Sequence, residues 1–141
     1  MSVKKYYQLA KHSLFPICRS LTGDGIRRTL IMIKKEFPKL KILEVPSGTK
    51  VFDWNVPPEW NVKTAYILDK KNKKIVDFKN NNLHLVGYSI PCNKFISKKE
   101  LFNHIHSLPS RPKAIPYITS YYKKYWGFCI SHNEKLKFNN K

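Results

Sequence analysis

Five histidines, three cysteines and nine carboxylates are the residues of this 141-residue chain most able to do chemistry, and their spacing limits what that chemistry is. His104 and His106 are two apart on a predicted helix over 98–106. There their rings point roughly 200° apart, so they cannot share a metal ion. Cys129-x-x-His132 offers two ligand types, but no second pair stands at a zinc-site spacing, and His12 and His84 are isolated. A metal site built from this chain alone is not expected. Asp53 and Glu59 flank the stretch Trp54 to Trp60, but salt bridges to the abundant lysines are the expected role of such scattered acids. Thr22-Gly23-Asp24-Gly25 and Ser47-Gly48 are glycine-bearing turns that match neither a phosphate-binding loop nor a dinucleotide fingerprint, and no Gly-x-Ser-x-Gly elbow is present. No catalytic residue is assigned.

Aromatic residues are the more distinctive signal. Two stretches, Val51 to Trp60 and Tyr117 to Cys129, are dense in rings that bury area while keeping a polar handle. Phe52, Trp54 and Phe128 are expected in a core. Tyr121, Tyr122 and Trp126 stand between core and a binding surface, and are the candidate substrate or ligand contacts.

The elements that position these residues fall into two parts. Tyr6, Leu9, Ala10, Leu14 and Ile17 recur at roughly helical spacing over 3–19, with Pro16 ending or kinking the helix. Asp24 is the expected N-cap of a second helix to Glu36, with Ile26, Leu30, Ile33 and Phe37 as its apolar stripe. After Pro38 the pattern changes to short β-rich runs at 41–45, 49–54, 63–69, 74–78 and 84–89, with a hairpin over 63–78. Ser97 to Glu100 is a capping box ahead of the short helix, and a last strand is expected over 125–131. The fold class is therefore α+β: an N-terminal helical hairpin, then a small antiparallel β-rich module with one short helix.

Composition excludes several classes. Apolar residues at 42% and aromatics at 13% are too rich for a disordered chain, and no run approaches the ~18 apolar residues of a membrane span. The first residues lack the apolar segment of a secretory signal, and three widely spaced cysteines make no disulfide framework, so a cytoplasmic location is expected. The net charge of +18 comes from 23 lysines and only four arginines, Arg19, Arg27, Arg28 and Arg111. Without a basic stripe rich in arginine forks, this reads as a solvated surface that would meet nucleic acid only non-specifically.

Four ordered motifs carry a resemblance. They are Leu14 to Gly25, Pro46 to Trp54, Ile115-Pro116-Tyr117, and Thr119 to Tyr122 running on through Trp126-Gly127-Phe128-Cys129-Ile130-Ser131-His132. Together they closely resemble the N-terminal portion of a bacterial family of aminopeptidase-like, zinc-peptidase-fold proteins, often linked by name to polysaccharide biosynthesis. The resemblance implies that residues 1–40 are the leading helices of a peptidase domain, 41–132 a small β-rich inserted domain, and 133–141 a truncated tail. The family's metal-binding signatures, of His-x-Cys-His-Pro and Asp-Asn-x-Ser-Gly type, are absent from this sequence. The resemblance thus implies an N-terminal part of a zinc hydrolase, inactive alone, whose β insert shapes the substrate cleft. Its partner would be the remaining peptidase portion, and the full-length substrate a peptide or a sugar derivative. Zinc belongs to the full-length family, and no cofactor to this chain. The alternatives are a stand-alone peptide- or glycan-binding module using Tyr121 to Trp126, and a basic nucleic-acid-binding protein.

Overall fold

A computed structural model describes residues 2–139, which form a mixed α+β chain divided into two compact units, Met1–Val62 and Lys63–Lys141. Among the described residues no helix is long and apolar enough to cross a membrane.

The first unit is the expected helical pair followed by a small hairpin. Helix α1 (Val3–Leu9) runs into a single π-helical segment (Ala10–Leu14), closed by the Phe15 amide donating to the Ala10 carbonyl at 2.9 Å. The wider turn falls just before Pro16, which has no amide to donate to the helix. The helix therefore ends short of residue 19. Helix α2 (Asp24–Glu36) keeps the expected span, and Tyr6 stacks on Phe37 with centroids 5.5 Å apart while Lys5 pairs with Glu36. Asp24 is not its N-cap. Gly23, at φ 107°, takes that position, and the Asp24 amide donates instead to Asn61 Oδ1 at 2.8 Å. Segment 58–61 thus closes the helix start from outside: Thr22 Oγ1 donates to the Pro58 carbonyl at 3.0 Å, and Arg27 forms a two-pronged pair with Glu59. Glu59 is accordingly tied to Arg27, which holds its carboxyl below the usual range, and is not free for acid–base work with Asp53.

Strands β1 (Lys50–Val51) and β2 (Trp54–Asn55) pair antiparallel around a two-residue turn at Phe52-Asp53. Phe52 occupies the left-handed region at φ 51° and is 91% exposed, and Trp54 is 41% exposed. The expectation of both as core residues is corrected here: a two-stranded hairpin has no second layer to bury the rings at its turn. The run at 41–45 forms no strand. Among the described residues this unit buries no large apolar side chain, while Val3, Phe15, Ile31 and Leu43 are exposed.

The second unit holds the core. Strands β3 (Tyr66–Leu68) and β4 (Lys74–Asp77) form the predicted hairpin, in the register Tyr66 to Asp77. Its turn is tied by Asp69, whose carboxylate accepts the amides of Lys71 and Lys73, with Asn72 in the left-handed region. Where a strand was expected over 84–89, a 3-10 turn (Asn82–His84) leads into isolated bridges at Leu85 and Gly87. Helix α3 (Lys98–Asn103) starts as predicted, with Ser97 Oγ accepting the Glu100 amide at 3.1 Å. It ends at Asn103. The chain then enters β5 (Ile105–His106), which pairs parallel with β6 (Phe128–Cys129). Ile67, Val76, Ile105, Phe128 and Ile130 form the core, backed by Leu85, Leu101, Trp126 and Phe138.

Helix α4 (His132–Asn139) follows where only a trailing tail was expected. Its capping box is legible in the spacing Ser131-x-x-Glu134. The Ser131 amide and hydroxyl donate to Glu134 Oε2 at 2.9 and 2.7 Å, and the Glu134 amide returns to Ser131 Oγ at 3.3 Å. In the α3 box the acid faces elsewhere, since Glu100 accepts from Lys94 at 2.6 Å. Losing a reciprocal box costs more than losing half of one. Ser131→Ala is expected to lower stability by about 1 kcal/mol, and Ser97→Ala by less. Urea unfolding of both variants checks the order, and a smaller loss at Ser131 than at Ser97 would contradict it.

Candidate functional site

The end of α3 and the β5–β6 pair bring His104, His106 and Tyr125 together. Because α3 stops at Asn103, His104 (φ −110°, ψ 6°) has left the helix and His106 stands in β5, so the two rings come to one neighbour while Ile105 is buried in the core. The helical expectation of opposed rings is therefore corrected. Both face Tyr125: the His104 ring lies 5.2 Å from it and the His106 ring 5.8 Å.

Hydrogen bonds hold both rings in place. His104 Nδ1 donates to the Trp126 carbonyl at 2.7 Å. Tyr125 Oη donates to the Asn103 carbonyl at 3.3 Å, so it accepts from His106 Nε2, 2.8 Å away. Burial pushes the Tyr125 phenol up, which keeps its proton in place. Around the ladder run the Phe128 amide to the His104 carbonyl at 2.8 Å and the Ile130 amide to the His106 carbonyl at 3.0 Å. Lys135 on α4 donates to the Ile105 carbonyl at 3.0 Å.

The three aromatic candidates are given separate partners. Trp126 stacks face to face on His104, centroids 3.8 Å apart and planes 9° apart, with Lys94 Nζ 5.5 Å from its ring centre. Tyr121 meets Tyr88 edge to face at 4.8 Å. Tyr88 is itself buried and in the left-handed region at φ 64°. A bulky residue there is strained by about 1–3 kcal/mol, and the segment is held by the Gly87 amide on the Ile118 carbonyl and the Ser120 amide on the Gly87 carbonyl. Tyr122 is 68% exposed.

Two further pairings escaped the sequence reading. Ser107 Oγ and His132 Nδ1 share a hydrogen bond at 3.0 Å, and the buried His84 donates from Nδ1 to the Cys129 carbonyl at 2.8 Å. No spacing signals either, since the partners are 25 and 45 residues apart. Glu134 is spent on the Ser131 cap. Burial raises its pKa, but the Ser131 bonds and the His84 charge outweigh that and lower it. Cys129 is fully buried, and burial pushes its thiol to about 11, which keeps it an inert neutral group.

These residues do not fit a zinc site. Among the described residues no three His, Cys, Asp or Glu side chains gather closely enough to hold a metal ion. What the arrangement offers is a hydrogen-bonded aromatic ladder beside tyrosine-bearing loops.

Comparison with known proteins agrees with the motif resemblance. A Clostridium acetobutylicum protein with the provisional name of polysaccharide biosynthesis protein with aminopeptidase-like domain is 53% identical over 121 residues, which is 86% of this chain and 28% of that protein. A crystal structure from the same organism, carried under a provisional peptidase name, matches with a TM-score of 0.83 and 46% identity over 96% of this chain and 34% of its own. The chain thus spans about a third or less of the proteins it matches. The model of one family covers residues 59–141, more than half of the sequence, and on that match the chain belongs to the family described as domain of unknown function DUF2172.

Proposed function

We propose that this chain is the N-terminal part of an aminopeptidase-like zinc hydrolase, and that its β-rich portion borders the substrate cleft. The observation that supports this most is the 53% identity to a protein named for an aminopeptidase-like domain, of which the chain spans 28%. On this reading residues 1–40 are leading helices of the peptidase domain and 41–132 an inserted module. The exposed apolar residues Val3, Phe15 and Ile31 then have a covering surface in the peptidase portion of the longer protein. That portion is the proposed partner. When bound there, zinc would polarise a scissile carbonyl and activate a water. The residues of this chain hold no place in that step. Their proposed part is to shape the cleft for a peptide or sugar-derived substrate, with Tyr121, Tyr122 and Trp126 as the contacts.

Two measurements test it. The chain alone is expected to retain no stoichiometric zinc after dialysis and to hydrolyse no aminoacyl chromogenic substrate. In the longer Clostridium acetobutylicum protein, alanine at the positions aligned with Tyr121 and Tyr122 is expected to raise KM several-fold with kcat little changed. Tightly held zinc with turnover by this chain alone, or unaltered KM in both variants, would sink the reading.

A further inference from the structure

Among the described residues three that are not glycine stand in the left-handed region, and the chain itself accounts for two of them. Asn72 is of a type that tolerates positive φ, and it sits in the β3–β4 turn. Tyr88, at φ 64°, is buried, and its ring meets Tyr121 edge to face. Phe52, at φ 51°, is different. It occupies a two-residue hairpin turn, where glycine, asparagine or aspartate carries positive φ at little cost, and its ring is 91% exposed. Within this chain the strain at Phe52 is matched by no burial. Its surroundings are wet too: every residue of β1 and β2 except Val51 is exposed, Trp54 included, and so are Leu43 and Val45 on the segment leading in. A lone two-stranded hairpin of this kind is marginal in water. This one is closed by the Val56 amide on the Thr49 carbonyl at 2.9 Å and the Gly48 amide on the Val56 carbonyl at 2.8 Å.

We infer that the β1–β2 hairpin is a docking arm, whose Phe52 ring, with Trp54 beside it, inserts into an apolar pocket on the peptidase portion of the longer protein. The inference rests on reading this chain as the N-terminal part of such a protein. The solved relative keeps this fold over 96% of the chain, and the chain accounts for only 34% of it, so most of that protein is available to receive the arm. Backbone strain persists where a contact over-determines it, and a bulky ring at a hairpin tip buries a large area from few residues, as interface anchors do. A second copy of this chain is the poorer occupant, because two chains of net charge +18 repel one another. The same charge, with Lys50 exposed at the base of the hairpin, is complemented by carboxylates around the pocket's rim.

The test compares one substitution in two settings by amide hydrogen exchange. In this chain alone, Phe52→Gly relieves the turn and is expected to keep or raise the protection of the Val56 amide. In the longer Clostridium acetobutylicum protein, glycine at the position aligned with Phe52 removes the anchor and is expected to lower protection of the aligned amide several-fold. Phe52→Asn suits positive φ without glycine's extra freedom; it is expected to repeat both results and serves where the glycine variant folds poorly. Sedimentation is expected to give one mass for the unmodified chain and for Phe52→Gly. Lower protection in the chain alone, or undiminished protection in the longer protein, would overturn the docking arm. So would self-association of this chain that Phe52→Gly abolishes, which would give the ring to a second copy. None of these readouts passes through turnover, so a longer protein without zinc or peptidase activity would sink the proposed function and leave this result standing.

Discussion

Ile130→Ala is expected to destabilise the second unit by about 2–5 kcal/mol, the range for truncating a fully buried isoleucine. Ile130 is 0% exposed and packs with Ile67, Val76, Ile105 and Phe128, the whole set of large buried aliphatic and aromatic groups that joins the β3–β4 hairpin to the β5–β6 pair. The lost methylene contacts and the cavity left among Ile67, Val76, Ile105 and Phe128 both count. For a domain whose total stability is about 5–15 kcal/mol, that is a large share. Phe95→Ala removes a bigger side chain from a fully exposed site and is expected to change stability by within about 0.5 kcal/mol. Urea unfolding of the two variants checks the contrast. A loss under about 1 kcal/mol at Ile130 would mean that the unit's core lies elsewhere.

Gly25→Ala is expected to weaken the first unit by about 1–3 kcal/mol, with the sign opposite to helix propensity. Gly25 stands in the first turn of α2, where alanine would ordinarily stabilise by about 1 kcal/mol. Here a β-carbon would overlap the backbone carbonyl of Cys18, and a carbonyl of the main chain cannot swing aside as a side chain does. The Gly25 carbonyl also accepts the Thr29 hydroxyl at 2.9 Å, so displacing the turn loosens one of the few buried groups in this unit. Because residues 2–62 bury no large apolar side chain, little holds α2 against that strain. Loss of helical circular dichroism and faster exchange of the α2 amides are the expected signs. A gain in helicity would show that the approach to Cys18 is not binding.

Much of this was legible in local pattern. The 3.6-residue stripe of Ile26, Leu30 and Ile33 located α2, the polar turn at Lys70 to Lys73 located the β3–β4 hairpin, and Ser97 to Glu100 located the start of α3. Each of these signals lies within a dozen or so residues, and its physics is local: periodic burial, a turn that tolerates Asn72 at positive φ, a hydroxyl that accepts a free amide. The family resemblance was equally readable, since ordered motifs need no coordinates. The Ser131-x-x-Glu134 box that starts α4 is a signal of the same local kind.

Composition, periodicity and motif order by themselves determined the α+β class, the helical pair and the family. Only the tertiary structure decided what the aromatic and titratable residues do. Phe52 and Trp54 look like core by type, yet burial depends on a covering layer that a lone hairpin lacks. Whether His104 and His106 oppose or adjoin turned on the point where α3 stops and β5 begins, because the helical side-chain repeat ends there. The helix stops there because the His104 and His106 carbonyls find partners in Phe128 and Ile130, more than twenty residues on. A contact of that range leaves no trace in local sequence, and it goes with the His104 and His106 rings meeting at Tyr125.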